Sequence, residues 1–300
     1  MKRNRAWTHK SVRALIQSAG GGDPVEIIRS KAKEIVRWAK EMGWSGPPYN
    51  PRDLASLRGI RSKESANLFS AEAQLTPMDG EQLLLEFNPN RCLGRRNYSI
   101  SHELAHTLFD DCFEMVHQRR TDKPKFDPDQ EVESLCQIGA AEFLMPEEDF
   151  IKDLKEHRFS LESVLPLMEL YKASREAVAR RILSLSSETA ALAFFSERLK
   201  PSEMNDRPQH GEMLPQPKMR ILYSVHSDDF PVYLPRHKSA PDSSCIYTLD
   251  QTDEVVSAIE CWGLEGETEY FVEAMALPVP DSDDHAPTVM ALIQPIIDKV

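Results

Sequence analysis

The 300-residue sequence has no apolar run near the roughly 20 residues of a membrane-spanning helix, which excludes a helical membrane protein. Its start, MKRNRAWTHKSVRALIQSAGGG, is basic, but only Ala14, Leu15 and Ile16 follow as a continuous apolar stretch. A secretory signal needs about 7–15 such residues. Cysteine is scarce. Cys92, Cys112, Cys136, Cys245 and Cys261 are odd in number, scattered, and form no C-x-x-C pair. That excludes a cysteine-built zinc knuckle and suits free thiols in the reducing cytoplasm. An excess of positive charge is missing too: Lys+Arg number 36 against Asp+Glu 48, for a net charge of −12. Such a balance argues against non-specific nucleic-acid binding by the whole chain. The sequence contains no internal repeat.

What is present suffices for one or two packed cores, with 41% hydrophobic and 28% charged residues. The acidity is uneven. Residues 201–300 hold 6 Lys/Arg against 18 Asp/Glu, so the first 200 residues are neutral. Punctuation divides the chain further. Residues 1–23 read as a mobile basic arm ending in Gly20-Gly21-Gly22. Residues 24–150 carry an amphipathic helix after Asp23-Pro24 and a short helix from Asn50. Two strands follow at 66–75 and 81–88, then helices at about 97–110 and 128–144. Asp127 and Pro128 signal the start of the latter, and Met145-Pro146 its end. Residues 151–196 form a helical, helix-turn-helix-like segment with helices at 161–171 and 175–185. Residues 197–218, with Pro201, Pro208, Pro215 and Pro217, read as a linker. The acidic remainder, 219–300, alternates apolar and polar residues as a β-rich or α+β module.

The chemistry lies in Ser101-His102-Glu103-Leu104-Ala105-His106, which contains H-E-x-x-H. Only about 0.02 accidental matches are expected in a chain of this composition. On a helix His102 and His106 stand one turn apart on one face, where both imidazoles reach a single ion. Ile100, Leu104 and Leu108 fall on the opposite face, suited to a core. Glu103 sits beside the histidines as a general base for water rather than as a ligand. A catalytic zinc needs a third protein ligand and an open position. No third histidine follows at the metzincin spacing. Glutamates of the second helix remain: Glu133 in its first turn is favoured, with Glu142 and Glu131 open. Gly139, Ala140 and Ala141 would let that helix pack closely.

The two strands, the segment Arg95–His106, and Glu133-x-x-Cys136-Gln137 running into Ala140-Ala141-Glu142-Phe143-Leu144-Met145-Pro146 together resemble the ImmA/IrrE family of cytoplasmic zinc-peptidase-like proteins. The resemblance spans about residues 24–185. The chain departs from the family pattern at Leu135, Cys136, Gln137 and Gly139, none a ligand position. The resemblance implies an α+β fold: a zincin-like minimal metallopeptidase domain of helices and a small antiparallel sheet. It also implies a third ligand at Glu133 and cleavage of helix-turn-helix transcriptional repressors in stress response or mobile-element control. Zinc is the expected ion, although His₂Glu accepts other divalent ions. No side chain is assigned to stabilise an oxyanion; Tyr98, His117 and Arg96 are candidates, each with a structural role as the first reading.

In the helical segment Leu165, Met168, Leu170, Val178, Ile182 and Leu183 are the expected core. Arg175, Arg180 and Arg181 would meet DNA if the second helix entered a major groove. The alternative function is therefore a DNA-binding or partner-binding transcriptional regulator with a non-catalytic metal site. Cys245, Cys261 and Trp262 of the last module fit buried packing better than a ligand pocket.

Overall fold

The computed structural model describes residues 7–66, 68, 72–79, 82–115, 130–204, 215–249, 253–263, 268–278 and 287–296. The chain is α+β and separates into two compact units. The first comprises Met1–Lys152 with Met168–Ala177, the second Asp153–Leu167 with Val178–Val300.

Unit 1 starts with a difference from expectation. From residue 7 onward the basic arm is docked, not mobile, and Lys10–Ser18 form helix α1. His9 caps it, and Val12 and Leu15 are 0% and 1% exposed. The i, i+3 pair supplied an apolar stripe that the surrounding basic residues obscured. Helix α2, Pro24–Glu41, is capped by Asp23 and buries Ile28, Ala32, Val36 and Ala39. Helix α3 is Pro51–Leu57, capped by Asn50.

A three-stranded sheet follows: β1 Arg61–Glu64, β2 Ala73–Pro77 and β3 Leu83–Phe87, in the order β1-β3-β2. Strand β2 runs antiparallel to β3 with Leu75 opposite Leu85, while β1 runs parallel to it. The first expected strand, 66–75, is therefore displaced. Its apolar end belongs to β2, and the polar Arg-Ser-Lys-Glu of β1 is an exposed edge with no periodicity to read.

Helix α4, Leu93–His106, and helix α5, Gln130–Leu144, form the centre of unit 1. Asp127 and Pro128 lie outside the described residues. Ile100 and Leu104 are fully buried, as the helical phase predicts. The two helices approach at Gly139. A Cβ there would lie 2.7 Å from Leu108 Cδ1 and 2.9 Å from Ala105 Cβ, so only glycine fits without movement. Helix α6 is Glu147–Leu154.

The expected helical segment is shared between the units. A 3-10 turn at Leu161–Ser163 leads into α7, Val164–Tyr171, and α8 spans Arg175–Leu185. In α7 Val164, Leu167 and Tyr171 are buried and Leu170 is exposed. The apolar stripe is therefore rotated from the expected Leu165, Met168 and Leu170. The 3-10 turn advances more per residue than an α-helix and shifts the phase.

Unit 2 holds a five-stranded antiparallel sheet of β4 Ala191–Arg198, β5 Lys218–His226, β6 Val255–Cys261, β7 Glu269–Ala276 and β8 Val289–Pro295, in the order β5-β4-β8-β7-β6. Strand β4 belongs to this sheet rather than to a separate helical segment, so the division does not fall at 197–218. The expected linker contains the end of β4 and a short helix α9, Pro201–Met204, with 205–214 outside the described residues. One face of the sheet packs Ala193, Phe195, Tyr270, Val272 and Ile293 with Trp262 and Phe230. On the other, Leu192 and Leu292 meet Val164, Ala179, Ile182 and Leu183. Burial on both faces explains the unbroken apolar run Ala191–Phe195, which shows no alternation. Cys245 and Trp262 are buried, and Cys261 is exposed. No described helix is long and apolar enough to cross a membrane.

Candidate metal centre

Helix α4 supplies three of the predicted side chains. Ligand-type atoms of His102, Glu103 and His106 lie within 4.8 Å of one another. The imidazoles stand edge to face, with ring centroids 5.1 Å apart. His106 is almost fully buried, and His102 is 17% exposed at the side chain. One histidine is thus anchored in the core while the other is partly exposed.

From α5, the Glu133 carboxylate reaches both rings. One oxygen is 2.9 Å from His102 Nε2 and the other 3.7 Å from His106 Nε2. The alternatives are occupied elsewhere. Glu131 accepts the backbone N–H groups of Thr8 and His9 and the Thr8 hydroxyl. Glu142 accepts the N–H of Glu147 at the start of α6, at 3.1 Å. Both carboxylates fix local structure, which leaves Glu133 as the one of the three set against the histidines.

Two contacts were invisible in the sequence. The backbone N–H of Leu75 donates to Glu103 Oε2 at 2.9 Å. The odd-numbered amides of β2 turn away from β3, because Asn88 N–H bonds the Glu72 carbonyl and Met78 N–H the Gln82 carbonyl. Leu75 therefore aims its amide at α4, and a charged acceptor is favoured there. The second contact joins Cys136 Sγ to His106 Nδ1 at 3.2 Å. A partner on the far nitrogen holds the ring's orientation. Neither contact has a motif signature, since both arise from tertiary register.

The surroundings hold α4 in place. The Thr107 hydroxyl donates to the Leu104 carbonyl at 2.6 Å and accepts from the Arg58 guanidinium. Arg58 thus sits at the negative end of the α4 dipole. Its burial pulls its pKa below the usual arginine value. Lys31 Nζ bonds the Leu108 carbonyl at 3.0 Å and Asp110 at 2.7 Å, tying the turn after the helix to α2. At the other end, a Cβ on Gly94 would lie 2.6 Å from the Ala173 carbonyl, so α4 begins against the backbone of that segment.

Among the oxyanion candidates, the Tyr98 ring stands 6.2 Å from that of His102. Arg96 is directed to the Pro89 carbonyl at 3.2 Å, and His117 lies outside the described residues. The three arginines that a recognition helix would present differ in exposure. Arg181 is 5% exposed, and Arg175 and Arg180 are half-buried. Val178, Ala179, Ile182 and Leu183 of α8 are buried, so much of this helix packs as core.

Residues 64–183 match the IrrE N-terminal-like domain, a peptidase family of zincin-like fold. No curated protein matches the sequence. The solved structure of a Mycobacterium tuberculosis transcriptional regulator is similar in fold, with a TM-score of 0.56 at 14% identity. The likeness covers 95% of this chain and 81% of that one.

Proposed function

We propose, from the match of residues 64–183 to the IrrE N-terminal-like domain, that the chain is a cytoplasmic zinc-dependent metallopeptidase. Its substrate in this reading is a protein, a helix-turn-helix transcriptional repressor whose cleavage relieves repression. The observation that carries the reading is the convergence of the Glu133 carboxylate on the two imidazoles of α4, with Glu103 beside them.

The donor set fits a small divalent cation. Ligand atoms bonded to a tetrahedral zinc at about 2.0–2.1 Å lie about 3.3 Å from one another. The 2.9 and 3.7 Å separations of Glu133 from the histidine nitrogens bracket that spacing. His102, His106 and Glu133 would hold the ion, and when bound it supplies Lewis-acid activation of water and of a peptide carbonyl.

The remaining work falls to the protein. Glu103 accepts the proton of the attacking water and returns it to the leaving amine. The Leu75 N–H holds one of its oxygens and fixes the carboxylate's direction. Strand β2 is the sheet edge beside α4, and an extended substrate segment aligned on it would lie across the site.

The test is the intact mass of a candidate repressor incubated with zinc-loaded chain. Two fragments are expected with the wild type. Glu103→Gln should lower the rate by about 10²–10⁴-fold while zinc stays stoichiometric. Equal cleavage by Glu103→Gln, or a wild type that takes up no divalent metal, would refute the proposal.

A further inference from the structure

Residues 7–18 make contacts on both sides of the chain segment that joins the two site helices. At its far end, Glu131 stands two residues before Glu133 on α5. Both oxygens of its carboxylate accept the Thr8 N–H, at 3.1 and 2.9 Å, and one also accepts the His9 N–H at 2.9 Å. The Thr8 hydroxyl adds a bond of 3.0 Å. At the near end, Asp111 follows His106 by five residues, and its carboxylate accepts the Ser11 hydroxyl at 2.6 Å. Between these attachments α1 buries Ser11, Val12 and Leu15. The short stretch from Thr8 to Ser11, running into α1, is therefore bonded both to the turn after α4 and to the entry of α5.

Glu131 and Glu133 lie on one helical turn, about 200° apart around α5. A pull on one face of that turn sets where the opposite face points. Three donors on a single carboxylate, one of them shared between its two oxygens, are a strong hold for the first turn of a helix, which otherwise frays.

We propose that residues 7–18 are a clip that places Glu133 against His102 and His106, with Glu131 as its positioning residue, so that metal affinity is set from the N-terminal segment. The inference deepens the metal-site reading and rests on it. The clip touches neither metal nor substrate. It acts by removing the freedom of the α5 first turn, so its loss should appear in metal affinity before chemistry.

The experiment measures zinc dissociation constants of full-length chains by competition with a chromophoric chelator. Urea unfolding of the same samples shows that each is folded. Val12→Asp places a charge at a fully buried position and undocks α1. Glu131→Ala removes the acceptor from the other side. Each should weaken zinc binding by about 10–100-fold, the range for groups that orient metal ligands. The combined variant should lose no more than the worse single one, because both break the same link. Thr8→Ser, which keeps every donor, should bind as the wild type does. Unchanged zinc affinity in folded Glu131→Ala, or losses that add in the double variant, would overturn the clip. A wild type that binds no zinc would instead remove the reading beneath it, so the two failures are distinguishable.

Discussion

Replacing Gly139 by alanine adds one methyl group where α4 and α5 touch, and two opposed effects set the outcome. In a helix interior alanine is favoured over glycine by about 0.8–1.0 kcal/mol. Against this, the new Cβ would lie 2.7 Å from Leu108 Cδ1 and 2.9 Å from Ala105 Cβ, whereas ordinary contact begins at 3.4 Å. Leu108 can rotate its terminal methyl away. The Ala105 Cβ is fixed to the backbone, so the helices must part by about half an ångström. Overpacking of this kind costs about 1–3 kcal/mol. The net expectation is destabilisation of about 0–2 kcal/mol, read by urea unfolding of metal-free chain. The larger effect should be on the metal. Ala105 adjoins His106, and Cys136, which touches that ring, lies one turn before Gly139. A half-ångström gap there reaches the tolerance within which a site must be held. Zinc affinity should therefore fall by about tenfold in chelator competition. A Gly139→Ala chain that is more stable by the full helix-propensity gain and binds zinc unchanged would refute the close approach.

Three further outcomes follow from the geometry. Burial and the neighbouring Glu260 push the Cys245 thiol up to about 12, so alkylation of native protein at pH 8 should label exposed Cys92 and Cys261 and spare Cys245, as read by peptide mass. Burial opposes ionisation of Asp149, but its hydrogen bonds from Lys40 and Tyr49 outweigh this and hold its carboxyl below the usual 3.8. A folded-state pKa below the unfolded one gives stability that is complete above the unfolded value and is lost as pH falls through the folded one. Asp149→Asn should therefore flatten the loss of stability below about pH 4 in acid titrations of the unfolding midpoint. For α8, Arg180→Ala with Arg181→Ala should leave DNA affinity unaltered in salt-dependent binding assays. Arg181→Ala alone should cost about 0.5–3 kcal/mol of stability.

The parts legible in the sequence are those that local periodicity encodes. His102 and His106 share a face because four residues make about one helical turn, and Ile100 with Leu104 faces the core for the same reason. Glu133 could be ranked above Glu131 and Glu142 but not separated from them. The distinction depends on where α5 lies against α4, and on Thr8 and Glu147, which occupy the other two carboxylates. Strand β1 has no apolar alternation because it is an exposed edge, and its pairing with β3 is parallel and non-local. The exposure of the α8 arginines is not legible for the complementary reason. Composition suggested a basic surface, but the apolar residues around Arg181 bury it. The Leu75 amide at Glu103 leaves no trace in residue identity, because any residue but proline carries the same donor.

The strand order in unit 2 imposes a timetable on synthesis. Every segment of unit 1 has been made by residue 177, whereas β4 cannot gain its inner neighbour until β8, at residues 289–295, has left the ribosome. At about 5–20 residues per second, the 118 residues between 177 and 295 take roughly 6–24 s to translate. Throughout that interval every segment of the histidine-bearing unit is already made, while Ala191–Phe195, destined to be buried on both faces, remains unpaired with β8. The nascent chain thus holds every segment of unit 1 at a stage when β4 of unit 2 still lacks its inner neighbour.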